Sequence, residues 1–197
     1  MQEAYRRDLS HLTWDQVYAR QVQRSVLVAD WLEALELKAG DRVLDVGPGP
    51  GFVSLLLAGR VGNDGCVYAV DASAEALAYL QRLQSERGLR NIQTFAADAA
   101  TVALPGPKVD AALIAMVLHH TDDPAAILRN VARLTRPDGL TVIAEFDPEG
   151  PCEQGPPREH RLTRRQVQAW CEAAGLALRD ERSQSAEHYM VLAARAP

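Results

Sequence analysis

The chain reads as an α/β protein with a mostly parallel sheet of seven strands and an antiparallel strand pair at its C-terminal end. Three observations predict this. Short apolar runs alternate with helical periodicities through residues 42–146, which implies a parallel sheet covered on both faces. A glycine-rich turn follows the first of those runs, at 47–51. The last two runs succeed each other with no helical segment between them, the pattern of an appended hairpin.

The elements follow in order. Residues 14–37 predict a helix, because Trp14, Val17, Tyr18, Val22, Val26, Ala29 and Leu32 recur three and four apart and form one stripe. Gly40 ends it. Arg42–Val46 is a short buried strand, and a helix runs from Gly51 to about Gly59. Cys66–Val70 is the second strand, and Ser73 caps a helix carrying Leu77, Leu80 and Leu83. Ile92–Ala97 and Val109–Ala115 are strands, with a loop at Pro105–Lys108 between them. Asp123 and Pro124 open a helix bearing Ile127, Leu128, Val131 and Leu134, which Pro137 and Gly139 stop. Leu140–Phe146 is the fifth strand. A loop rich in proline and glycine, Asp147–Pro157, then leads to a helix that Thr163 and Gln166 begin as a capping box and Gly175 ends. Leu176–Arg182 and Tyr189–Ala194 complete the sheet.

The totals narrow the function. A length of 197 residues suits a single domain, 1–197, in which residues 1–39 form a helical cover or lid. A net charge of −5 argues against nucleic acid as the main partner, because phosphate neutralisation needs a basic surface. Cys66, Cys152 and Cys171 are odd in number and lack CxxC spacing, which argues against a disulfide framework and against a zinc site, and for reduced thiols in the cytoplasm. Met1–Ser10 carries charges without an apolar run, so it is no secretory signal, and no stretch approaches the roughly 18 apolar residues of a membrane span. Monomer and homodimer both remain open.

The chemistry concentrates in Val43-Leu44-Asp45-Val46-Gly47-Pro48-Gly49-Pro50-Gly51. An apolar strand enters glycines that permit positive φ and close approach of a ligand, and the following helix start favours an anionic group. A dinucleotide turn wants G-x-G-x-x-G, but Phe52 stands at its last position; a phosphate loop would need Gly-Lys-Ser/Thr. The pattern present is G-x-G-x-G with Asp45 two residues ahead. It resembles the first motif of the class I S-adenosylmethionine-dependent methyltransferases. The likeness continues at Asp71 ending the second strand, Asp98 after the third, Asp110–Ile114 with the loop Met116–His120, and Arg136-Pro137-Asp138-Gly139. It covers about residues 40–195 and implies a Rossmann-like, doubly wound sheet.

That resemblance implies roles. Gly47, Gly49 and Gly51 let the methionine portion of S-adenosylmethionine lie on the backbone, and Asp45 orients its ammonium. Asp71 accepts from the ribose hydroxyls; Asp98, with the Ala99 N–H nearby, meets the adenine; Ala72 and Met116 give apolar contacts. Each has a plainer alternative: Asp71 as a helix cap, Asp98 as a turn former, Met116 as core. Methyl transfer is an in-line displacement at a sulfonium, so the protein mainly aligns and excludes water. His119 and His120 lie where a base could act, or they line the loop. The runs Ala144–Pro148 and Gly155–Thr163 are similar to the subgroup that includes quinone-biosynthesis C-methyltransferases. In that setting His160 lines an acceptor pocket or simply precedes the Thr163 cap, and Tyr5 and Tyr18 close over the site or pack a covering helix. The reading is methyl transfer to a small apolar or aromatic acceptor, leaving S-adenosylhomocysteine; the alternative is a nonenzymatic cofactor- or partner-binding domain on the same fold.

Overall fold

The computed structural model describes residues 11–153 and 155–196. Two helices lead the chain, α1 (Trp14–Gln23) and α2 (Ser25–Ala34). The alternating body follows as β1 (Arg42–Val46), α3 (Phe52–Val61), β2 (Cys66–Asp71), α4 (Ala74–Glu86), β3 (Ile92–Ala96), β4 (Val109–Ala115), α5 (Pro124–Leu134) and β5 (Thr135–Phe146). It closes with α6 (Arg164–Ala173), β6 (Leu176–Ser183) and β7 (His188–Arg195).

The strands lie in the order β3-β2-β1-β4-β5-β7-β6. Pairing is parallel from β3 to β5 and antiparallel where β7 joins β5 and β6. The expected mostly parallel sheet of seven strands with a C-terminal antiparallel pair is therefore the observed one. Side chains alternate between two cores. Val43, Val67, Ala69, Leu113 and Val142 face α2, α3 and α4, whereas Leu44, Val70, Ile114, Ile143 and Val191 face α5 and α6. The direction of the strand order reverses between β1 and β4, and the crevice at the carboxyl ends there is where open α/β sheets bind ligands.

The local signals operate as expected. Ser73 Oγ accepts the Ala76 N–H, Asp123 accepts the Ala126 N–H with Pro124 as the first helical residue, and Thr163 and Gln166 form a reciprocal capping box. Two expectations need correction. The 14–37 helix is two helices, broken at Arg24 (φ −91°, ψ 12°). Past the break the buried residues are Leu27, Val28, Trp31 and Ala34; Val22 and Val26, expected on the buried stripe, are 40% and 75% exposed. No glycine or proline marks the break. Its cause is tertiary: α1 is tied to the glycine turn by Gln21, while Trp31 Nε1 of α2 donates to Gln184 beyond β6. The second correction concerns β5, which starts at Thr135 rather than Leu140. Thr135 pairs with Val109 and Leu140 with Ala111, so Arg136–Gly139 is a bulge inside the strand. Arg136 Nε donates to Asp110 Oδ1 at 2.8 Å and holds it there.

Candidate functional site

Gly47, Gly49 and Gly51 all have positive φ (64°, 54° and 90°), so the turn after β1 takes a path that L side chains rarely adopt. They do different work. A Cβ on Gly47 would overlap the Val117 side chain, so Gly47 lets the loop after β4 close against the turn. At Gly51 the space a Cβ would take is filled by Leu80, so this glycine lets α3 and α4 pack closely. A Cβ on Gly49 would meet, among the described residues, only the Gln21 amide, at 3.4 Å. Gln21 clamps the turn: Nε2 donates to Pro48 O at 2.8 Å and Oε1 accepts the Phe52 N–H at 3.1 Å.

Three carboxylates line the carboxyl edge. Asp45 is 3% exposed and accepts from Ser54 Oγ at 2.6 Å. Burial, reinforced by Asp71, pushes its carboxyl up to about 7 against the opposing Ser54 hydrogen bond. Asp71 spans two elements, accepting the Gly49 N–H through Oδ2 and the Ser73 N–H through Oδ1, both at 2.9 Å. Burial raises its pKa and the backbone donors at Ser73, Gly49 and Ala72 oppose that. It is thus both a brace for the α4 entry and a carboxylate with lone pairs left for further donors. Asp98 is exposed, and its Oδ1 accepts the Ala100 N–H at 2.8 Å, the turn-forming bond foreseen as its plainer role. Buried Asn130 fixes this loop by donating to Ala99 O and Val102 O at 2.8 and 3.0 Å.

The loop after β4 carries the densest chemistry. Met116 is half-buried with φ 59°, and its N–H donates to Ala144 O at 2.8 Å. Positive φ in an unbranched, non-glycine residue is uncommon and stores strain at the end of β4. Next to it, Glu145 of β5 accepts the Val117 and Leu118 N–H groups through Oε1, at 3.1 and 2.7 Å, and holds His119 Nδ1 at 2.6 Å through Oε2. Both side chains of this pair are buried. Burial works to raise the Glu145 carboxyl, but the charge and hydrogen bond of His119 outweigh it and leave the pKa lowered. The rings of His119 and His120 lie 4.1 Å apart, and His120 is the more exposed.

Not every expected residue arrives here. Tyr18 packs edge-on to Phe52, its ring 6.0 Å from that of Tyr79, and its hydroxyl accepts from Arg87 Nη2 at 2.9 Å; it secures α1 to α3 and α4 and does not face the His119 loop. His160 is half-buried in a short turn, Arg158–His160, and the next residue, Arg161, is the one that reaches the sheet, 5.2 Å from the Phe146 ring centre. Tyr5 lies outside the described residues. Gln21 at the glycine turn and Glu145 at the His119 loop were not foreseen. Glu145 lay within a quoted motif run, but no local pattern pairs it with His119. Among the described residues no cluster of histidine, cysteine, aspartate and glutamate could hold a metal ion, and no helix is long and apolar enough to cross a membrane.

Comparison with known proteins agrees with this geometry. The family described as "methyltransferase domain" matches residues 43–139. A solved S-adenosylmethionine-dependent methyltransferase from Aquifex aeolicus superposes with a TM-score of 0.84 at 26% identity, over 94% of this chain and 100% of that one. The ubiquinone/menaquinone biosynthesis C-methyltransferase UbiE of Coxiella burnetii is 32% identical over 111 residues, covering 56% of this chain and 44% of the relative. The demethylmenaquinone methyltransferase of Geobacillus stearothermophilus is 29% identical over 116 residues, 59% of this chain and 50% of the relative. The aligned stretch spans about half the length of these two curated relatives. The glycine turn and carboxylates, the strand order and these likenesses together show a methyltransferase domain match over residues 43–139 and a fold similar to that of the class I S-adenosylmethionine-dependent methyltransferases, with a loose similarity to their quinone-biosynthesis subgroup.

Proposed function

We propose that this protein transfers the methyl group of S-adenosylmethionine to a small, apolar or aromatic acceptor, and that His119, positioned by Glu145, takes the acceptor's proton. The residues present fit the cofactor. Gly49 offers an uncrowded backbone, Asp71 keeps lone pairs for a pair of hydroxyls, and Asp45 is a buried carboxyl that an ammonium would favour in its charged form. Asp98 and the Ala99 backbone stand at the adenine end, with Ala72 and Met116 as apolar neighbours. When bound, the cofactor supplies an activated methyl on a sulfonium.

The observation that carries the reading is the bridge from Asp71 to Gly49 N and Ser73 N. It ties the second-strand carboxylate to the glycine turn in a geometry suited to a ribose diol. His119 supports turnover rather than mere binding. A buried histidine held through Nδ1 by a carboxylate presents its other nitrogen as a base or donor. The Val117 and Leu118 amides stop the carboxylate from turning away.

Calorimetric titration with S-adenosylhomocysteine, with NAD as the control, tests the first half. Binding of the former alone, lost in Asp71→Ala with the fold retained, is the expected result; equal affinity in that variant refutes the site. An acceptor screen from phenols and quinone precursors tests the second half. Cofactor binding with no methyl transfer across that screen favours a nonenzymatic domain on this fold.

A further inference from the structure

The break between α1 and α2 leaves one guanidinium without a counter-charge. Arg24 is half-buried, and its Cζ lies 5.3 Å from the centre of the Phe146 ring. Among the described residues its guanidinium makes no hydrogen bond or ion pair, although guanidinium groups taken from water are normally paired. The nearby carboxylate, Glu145, is already engaged by His119 and two backbone amides. Burial and the charge of Arg20 both disfavour the charged form of Arg24, and Glu145 offsets them only in part.

A second orphan leans on the same ring. His188 at the start of β7 is 5% exposed, its ring centre 4.7 Å from that of Phe146. Its Nε2 is buried with no hydrogen-bond partner among the described residues. Ser185 Oγ lies 2.9 Å from His188 Nδ1 and already accepts the Glu187 N–H. The serine hydrogen is then free to donate to Nδ1, which leaves the ring proton on Nε2 as an unused donor. Burial, and next the Arg24 charge, lower the His188 pKa to about 4, so the ring is neutral near pH 7.

Two unused donor groups, one cationic and one neutral, thus flank Phe146, which also packs edge-on to His119 with ring centres 5.6 Å apart. With His119 as the base of the proposed reaction, this is the side of the crevice on which the methyl acceptor would lie. The cofactor's methionine end belongs to the glycine turn, which Gln21, one helical turn before Arg24, covers. We propose that Arg24 and His188 Nε2 bind a carboxylate of the methyl acceptor, so that the substrate is a small carboxylic acid held with its reacting atom toward His119. The assignment rests on the methyl-transfer reading above. A carboxylate suits the pair because it accepts from a guanidinium and an imidazole N–H together.

The test uses the full chain and two probes of one shape, benzoate and benzamide, titrated into protein saturated with S-adenosylhomocysteine. Wild type is expected to prefer benzoate by about tenfold or more, the scale of a charge-assisted hydrogen bond. Arg24→Gln should abolish the preference, Arg24→Lys should keep part of it, and His188→Phe should reduce it. No preference in wild type, or one that survives Arg24→Gln, overturns the proposal. So does a parallel loss of S-adenosylhomocysteine affinity in Arg24→Gln, which assigns the guanidinium to the cofactor's own carboxylate. Failure of wild type to bind S-adenosylhomocysteine at all overturns the methyl-transfer reading instead, and the benzoate arm, run without cofactor, still decides the anion site.

Discussion

Glu145 grips His119 through one carboxylate oxygen, at 2.6 Å, and the backbone of the His119 loop through the other. One side chain on β5 therefore sets both the path of the loop and the orientation of the ring. Glu145→Gln keeps the shape and removes the charge. With an acceptor that must lose a proton, turnover should fall roughly 100-fold or more, the usual weight of a general base, while S-adenosylhomocysteine affinity holds. Steady-state kinetics beside calorimetry separate the two; a matched loss of affinity would mean that the pair only supports the loop. Glu145→Ala should cost about 3 kcal/mol or more in urea unfolding, because it strands a buried partner and two amides. As the carboxyl lies below its ordinary value of 4.5, the wild-type contribution is full above that pH and fades as acid protonates it.

Asp45 should couple cofactor binding to pH. Its carboxyl, pushed up to about 7, is largely protonated in free protein just below neutrality. An ammonium beside it favours the carboxylate, so S-adenosylhomocysteine affinity should rise with pH through about 7, with protons released on binding. Calorimetry in buffers of different ionisation enthalpy reads that release directly; a pH-independent affinity with no proton exchange would show that Asp45 serves only Ser54.

The same residue predicts a trade between stability and binding. A raised folded-state carboxyl stabilises the fold at low pH and progressively less as pH climbs from 3.8 through about 7. Asp45→Asn abolishes that penalty. Above neutral pH the variant should be more stable than wild type, by about 1–3 kcal/mol, and bind the cofactor more weakly. Thermal unfolding at pH 8 checks the first half, and a lower melting temperature there would contradict it.

Gly51 and Gly88 separate backbone strain from packing. Both have positive φ, 90° and 66°, but a Cβ on Gly51 would drive into Leu80 whereas nothing lies within 4 Å at Gly88. Gly88→Ala should cost about 1 kcal/mol from strain alone, and Gly51→Ala about 2–4 kcal/mol once overpacking is added. Equal costs in chemical denaturation would mean that Leu80 yields freely.

Gln21→Ala should loosen α1 without unfolding the sheet. It removes the donor to Pro48 O and the acceptor for Phe52 N, roughly 1 kcal/mol of net stabilisation. Hydrogen exchange across 14–23 should quicken while β1 and β4 stay protected. Unchanged exchange in α1 would mean that the Gln21 bonds do not hold the helix.

The sequence by itself determined the parts whose causes are local. β4 at Val109–Ala115, the caps at Ser73, Asp123 and Thr163, the glycine turn and the carboxylates ending β2 and following β3 were all legible, since each depends on residues within a few positions. Tertiary structure decided what depends on elements far apart in the chain. The break at Arg24 has no glycine or proline to announce it; it follows from anchoring α1 at the turn and α2 at Gln184, 153 residues beyond Trp31. Residues 119 and 145 meet because β4 and β5 are adjacent, and Arg24, Phe146 and His188 because α1 ends over the strand that β7 joins. Periodicity and capping report forces along the chain, whereas the donors left unused beside Phe146 are set only when the sheet brings its edges together.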